Sequence, residues 1–102
     1  MSRRNRARRK PINDYGKWEK EAICIVSKVL RFEVQNQEIH EKLKTVFYCE
    51  SKTQPEGRMC VIWGRTTFNI GDEITMTGRL KDKVFLVWRY LYKRNEPKEA
   101  AV

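Results

Sequence analysis

Residues 58 to 93, RMCVIWGRTTFNIGDEITMTGRLKDKVFLVWRYLYK, constrain the fold more than any other part of the chain. Three runs rich in β-branched and aromatic residues, Met59 to Trp63, Glu73 to Leu80 and Val84 to Tyr92, are separated by short polar segments that carry Gly, Asn or Asp. Each run has the length of a strand. Gly71 tolerates a positive φ and Asp72 can accept a bond from a nearby backbone amide, so residues 70–74 form a sharp corner into the next strand. Beyond that corner Ile74, Met76, Gly78 and Leu80 alternate with Glu73, Thr75, Thr77 and Arg79, which gives one dry face and one wet face.

Upstream, Ala22 to Val26 is apolar on both parities, as expected for a strand shared between two partners, and residues 22–34 read as one long, bent strand. In residues 36–44, Ile39 and Leu43 stand four apart in a short, uncapped stretch, which reads as a long loop with a helical turn. Thr45 to Lys52 is the next strand. Gln54-Pro55-Glu56-Gly57 has the chemistry of a tight turn and joins that strand to Arg58 to Arg65 as a hairpin. Pairing Gln54 with Gly57 sets Tyr48 opposite Trp63, Val46 opposite Arg65 and Cys49 opposite Ile62.

The two faces of this hairpin differ in chemistry. Leu43, Phe47, Cys49, Cys60 and Ile62 make a core set; Lys44, Val46, Tyr48, Glu50, Lys52, Met59, Val61, Trp63 and Arg65 mix bulky rings with charges. Rings flanked by Lys and Arg suit single-stranded nucleic acid, because bases stack on the rings while the cations meet phosphates. The competing expectation is that Tyr48 and Trp63 pack in the core or under residues 36–44, as aromatic residues in small β proteins often do. In the last hairpin a three-residue loop, Lys81-Asp82-Lys83, pairs Leu80 with Val84, Gly78 with Leu86 and Met76 with Trp88, apolar against apolar. Arg79, Phe85, Val87, Arg89 and Lys93 then point outward.

Five strands with spacings too short for βαβ crossovers predict an all-β fold, a small five-stranded antiparallel barrel that hides its edges by closing. Residues 18–93 resemble the OB-fold family of oligonucleotide- and oligosaccharide-binding Greek-key barrels, in strand order and in Phe68-Asn69-Ile70-Gly71-Asp72-Glu73-Ile74-Thr75-Met76-Thr77-Gly78-Arg79-Leu80, which looks like that family's fourth strand with its Gly-Asp turn. The departure lies between strands three and four, where the family often places a helix and Thr66 to Gly71 is too short for more than one turn. Closure of that mouth would then fall to Trp18 and the residues before it. The resemblance implies a binding surface over strands two and three, flanked by the loops joining strands one to two and four to five. Those positions are Tyr48 and Trp63, residues 36–44, and Lys81 and Lys83; Lys44, Lys52, Arg58 and Arg65 complete the expected nucleic-acid contacts.

Charge adds to this expectation. The net charge is +9, and Arg3, Arg4, Arg6, Arg8, Arg9 and Lys10 supply six positive charges with no acid among them. A block of like charge repels itself, so residues 1–16 are expected to be a flexible arm, residues 17–94 the barrel and residues 95–102 a disordered tail. Clustered Arg favours a polyanion through counterion release, and Arg3, Arg4, Arg6, Arg8 and Arg9 join the expected contacts. A solvated tail or a localisation signal is the alternative. Residues 11–17 are polar where a secretory signal needs an apolar run, and no stretch approaches the ~20 apolar residues of a membrane span. Cys24, Cys49 and Cys60, odd in number and without a CxxC pair, are expected to be buried free thiols in a reducing cytoplasm. His40 is the only histidine, and no nucleophile motif, glycine-rich nucleotide loop or converging metal-ligand set is present. Catalysis, a cofactor and a bound metal are therefore not expected. The functional expectation is a non-enzymatic single-stranded nucleic acid binding protein, DNA ahead of RNA; the alternatives are an RNA- or ribosome-binding OB protein and a protein-interaction module or homo-oligomer.

Overall fold

The computed structural model describes residues 23–95. The basic arm, Trp18 and the tail beyond Asn95 lie outside the described residues, as do the expectations placed on them. Strands β1 (Ile23–Ile39), β2 (Lys42–Cys49), β3 (Arg58–Trp63), β4 (Glu73–Lys81) and β5 (Val84–Lys93) form one sheet. There is no helix among the described residues. The pairing order is β1-β2-β3-β5-β4, and β4 pairs back onto β1, so the order closes on itself. Four pairings are antiparallel, but β3 with β5 is parallel, which corrects the expectation of antiparallel pairing throughout.

β1 makes the closure. Residues 23–28 pair with β4, residues 29–39 pair with β2, and register shifts bend the strand along its second half. The strand runs five residues past its expected end at Val34, through what was expected to be a loop with a helical turn. It turns instead at His40-Glu41, both at positive φ (53° and 65°), the backbone of a tight hairpin built from residues that give no turn signal.

The β2–β3 hairpin keeps its expected faces except at Val46, expected outside but buried, and changes its register. Tyr48 pairs with Met59, Val46 with Val61, Cys49 with Arg58 and Lys44 with Trp63. The Gln54–Gly57 turn forms, with the Gly57 amide donating to the Gln54 carbonyl at 2.9 Å, yet β2 has already ended at Cys49. Glu50 explains this. Its amide donates to the Lys28 carbonyl at 2.9 Å and its carbonyl accepts the Ser27 hydroxyl at 3.0 Å, so the chain after Cys49 is held against β1 before it turns. A slip of four residues preserves parity, which is why Phe47, Cys49, Cys60 and Ile62 are still buried.

The last hairpin is shorter than expected. Lys81 pairs with Val84 across a two-residue turn, Asp82-Lys83, at φ 51° and 68°. This register puts Phe85 in the core, fully buried, and not on the outer face. A bulge opposite Thr77 and Gly78 inserts one residue at Trp88 and restores Arg89 to the outside, opposite Thr77. Val87, also expected outside, packs against the core with Tyr90 and Tyr92. Close approach of the strands here requires Gly78, where a Cβ would collide with the Leu86 carbonyl.

Ile25, Val29, Phe47, Cys49, Cys60, Ile62, Ile74, Met76 and Phe85 fill the interior around Phe68. Phe68 comes from the β3–β4 connection and is fully buried at the centre of an aromatic cluster. Its ring lies 5.0 Å from Phe47, 5.4 Å from Phe32 and 5.3 Å from Tyr90, centroid to centroid. The connection is tied down beside it by Asn36, whose side-chain amide donates to the Thr66 carbonyl at 2.9 Å and whose Oδ1 accepts the Thr66 amide at 2.9 Å. The Gly71-Asp72 corner is as expected. Gly71 has φ 94°, and buried Asp72 accepts the amides of Asn69 (2.8 Å) and Asn95 (2.9 Å). All three cysteines are free thiols; Cys49 and Cys60 are buried, whereas Cys24 is only half-buried, with the Thr77 hydroxyl donating to its sulfur at 3.5 Å.

Candidate functional site

Alternation along β3 turns Cys60 and Ile62 inward and leaves Met59, Val61 and Trp63 outside. Trp63 is 54% exposed, a large apolar surface left in water on a strand whose other face is full. Lys44, its partner on β2, holds its ammonium 5.4 Å from the indole centroid. That distance is within cation–π range and leaves most of the ring open.

A second indole stands beside it. The parallel pairs run from Met59 with Val84 to Ile62 with Val87, so one further step brings Trp63 level with Trp88 on β5. Trp88 is 60% exposed. Neighbouring strands lie about 4.8 Å apart, so the two indoles rise from adjacent backbones on one outer face. Sequence reasoning placed Trp88 inside because a three-residue turn set Val84, Leu86 and Trp88 inward; the two-residue turn inverts that phase, buries Phe85 and leaves Trp88 outside.

Tyr48 does not join this pair. Its strand partner is Met59, four residues along β3 from Trp63 or about 13 Å at strand rise. The Arg31 guanidinium covers its ring at 3.9 Å, and its hydroxyl donates to Glu33 at 2.9 Å. Burial, then the Glu33 hydrogen bond and charge, raise the phenol above its usual 10.0 despite Arg31. A ring with one face capped by a guanidinium is a poorer stacking platform than Trp63.

The expected cations divide into two groups. Lys44 stands over Trp63, and exposed Arg65 follows it, its carbonyl accepting the Tyr90 hydroxyl at 3.2 Å. At the other end of β3, Arg58 donates from Nη1 to the Lys83 carbonyl at 3.5 Å and with Lys81 and Lys83 lines a cleft of about 730 Å³. Lys52 is exposed in the connection from β2 to β3, outside both groups. Arg3, Arg4, Arg6, Arg8 and Arg9 lie outside the described residues.

No three His, Cys, Asp or Glu side chains converge on a metal-sized site among the described residues, and no described helix is long and apolar enough to cross a membrane. Comparison with protein-family models, curated proteins and solved structures returns no significant match.

Proposed function

We propose that the closed sheet is a Greek-key barrel of the OB type and that the protein binds single-stranded nucleic acid without catalysing a reaction, with DNA put ahead of RNA. The fold reading is supported by the order β1-β2-β3-β5-β4, by the bent first strand serving two partners, and by the parallel contact of β3 with β5. The binding reading is carried by one observation: Trp63 and Trp88 are both exposed, each the residue after the Ile62–Val87 pair on strands β3 and β5, with Lys44 over the first ring. Each indole offers a base a stacking partner worth roughly 1 to 3 kcal/mol, and Lys44 and Arg65 offer cations for the phosphates on either side. The run of Arg3 to Arg9 adds affinity that is independent of sequence.

The test is a salt titration of oligonucleotide binding, followed by Trp fluorescence. Neutralising about four to six phosphates gives log affinity a slope of roughly −3 to −4 against log salt, since a single strand releases about 0.7 ion per contact. Trp63→Ala weakens binding while leaving the slope in place, and deleting residues 1–10 flattens the slope. Unchanged affinity in a folded Trp63→Ala protein removes stacking from the account. Competition between matched DNA and RNA strands decides the sugar, and a flat fluorescence signal with concentration-dependent self-association favours an apolar protein contact through Trp63 and Trp88 instead.

A further inference from the structure

The cleft at the far end of β3 from the indole pair has a chemistry of its own. It lies between the Gln54–Gly57 turn and the β4–β5 hairpin, and Arg58, Arg79, Lys81 and Lys83 line it with one acid, Asp82, together with Gln54 and Leu80. Four cations against one carboxylate leave a local charge of about +3 in a volume of about 730 Å³, in the range of small-molecule sites. The walls are partly fixed. Arg58 holds the Lys83 carbonyl at 3.5 Å, and the positive-φ turn at Asp82-Lys83 places Lys83 within the turn two residues after Lys81, the last residue of β4. Outward-facing Arg79 has no place in the nucleic-acid surface read from the sequence, yet it lines the same cleft as the other three cations.

A single phosphodiester carries one negative charge and leaves most of that field unbalanced. A phosphomonoester carries about −1.5 to −2, so two linked phosphoryl groups, or a terminal phosphate together with the diester beside it, come close to −3. Arg presents a planar fork to phosphate oxygens and Lys a movable point charge; two of each can hold two phosphoryl groups at once. We propose that this cleft is an anion site for a pair of phosphoryl groups, either free as inorganic diphosphate or carried at the phosphorylated end of a single strand. The first source is independent of the function proposed above, and the second rests on it.

The test uses the full chain and amide chemical shifts, with inorganic diphosphate as probe and orthophosphate and sulfate as controls. Diphosphate is expected to move the amides of Gln54, Arg58 and residues 79–83, and to bind at least about tenfold more tightly than orthophosphate. The exposed double variant Arg79→Gln/Lys81→Gln should weaken diphosphate by tenfold or more with an unchanged circular dichroism spectrum, and Trp63→Ala should leave diphosphate binding as it was. Equal affinity for the three anions, or shifts spread over every basic residue, overturns the site. Oligonucleotides with a 5′-phosphate, a 3′-phosphate or neither distinguish the sources: an advantage for one phosphorylated end, lost in the double variant, assigns the strand terminus, and equal affinities assign the free anion. If no oligonucleotide binds while diphosphate does, the nucleic-acid reading fails and the anion site stands.

Discussion

Replacing Phe68 by Ala tests how much the aromatic cluster on the β3–β4 connection contributes to closing the sheet. The ring is fully buried and touches Phe32, Phe47, Tyr90 and Tyr92, with centroids 5.0 to 6.0 Å away. Truncating a buried Phe costs about 3 to 5 kcal/mol, the transfer of the ring plus the cavity it leaves, and the upper half of that range applies where neighbours cannot collapse. Here they cannot: Phe32 and Phe47 are fixed on paired strands, and Asn36 ties Thr66 to the rim. A chain of this length has a total stability of about 5 to 15 kcal/mol, so the variant loses a third or more of it in most of that range. At roughly 4 to 8 °C per kcal/mol, the midpoint of thermal unfolding falls by about 15 to 40 °C. Urea unfolding followed by far-ultraviolet circular dichroism gives the free energy directly, with Phe68→Leu as a control that keeps much of the volume and costs less than ~1.5 kcal/mol. A loss below about 1 kcal/mol for Phe68→Ala would show that the cluster does little to close the sheet, and the account of closure would be wrong.

Three other outcomes follow from the same coordinates. Gly78→Ala drives a methyl group into the Leu86 carbonyl at the bulge, so it should destabilise by at least ~2 kcal/mol in urea titration; a neutral result would mean that β4 and β5 are not in such close contact. Burial holds the Cys60 thiol protonated well above its usual 9.0, whereas the unfolded chain ionises near 9.0, so stability is full below that pH and declines above it by up to about 1.4 kcal/mol per pH unit. Between pH 9 and 10, before the tyrosines contribute, Cys60→Ala should flatten that decline while lowering stability at every pH. Because Arg31 already covers the Tyr48 ring, Tyr48→Leu should change oligonucleotide affinity far less than Trp63→Ala, measured by fluorescence titration at one salt concentration; equal losses would restore Tyr48 to the site.

Parity was largely legible on β2, β3 and β4 and inverted on β5, where Phe85 lies inside and Trp88 outside, and register was not legible. The alternations around Phe47, Cys60 and Ile74 name the buried face correctly because each strand has only two faces and the apolar count decides between them. Register depends on contacts that composition does not mark. Glu50 is held by Ser27 and Lys28, more than twenty residues away, and this displaces the β2–β3 pairing by four positions. Turns were legible where glycine marks them, as at Gly57 and Gly71, and were missed or misjudged where other residues take positive φ, as at His40-Glu41 and Asp82-Lys83. For the candidate site this meant that the outward position of Trp63 could be read from alternation, whereas the Arg31 contact on the Tyr48 ring and the exposure of Trp88 could not.

The bulge on β5 connects the core to the outer face. Had β5 alternated without interruption from buried Phe85, Arg89 would have followed Val87 inward, and Tyr90 and Tyr92 would have faced water. The extra residue changes the phase between Val87 and Arg89, so Tyr90 and Tyr92 turn inward to reach Phe68, with centroids at 5.3 and 6.0 Å. The same residue is Trp88, left outside one register step from the Ile62–Val87 pair and therefore level with Trp63. Gly78 allows the strands to meet there, where a Cβ would strike the Leu86 carbonyl. The inserted position thus turns Tyr90 and Tyr92 inward around Phe68, while the phase set by buried Phe85 already leaves Trp88 outside, so Trp88→Ala should cost single-strand binding and leave the closure around Phe68 in place.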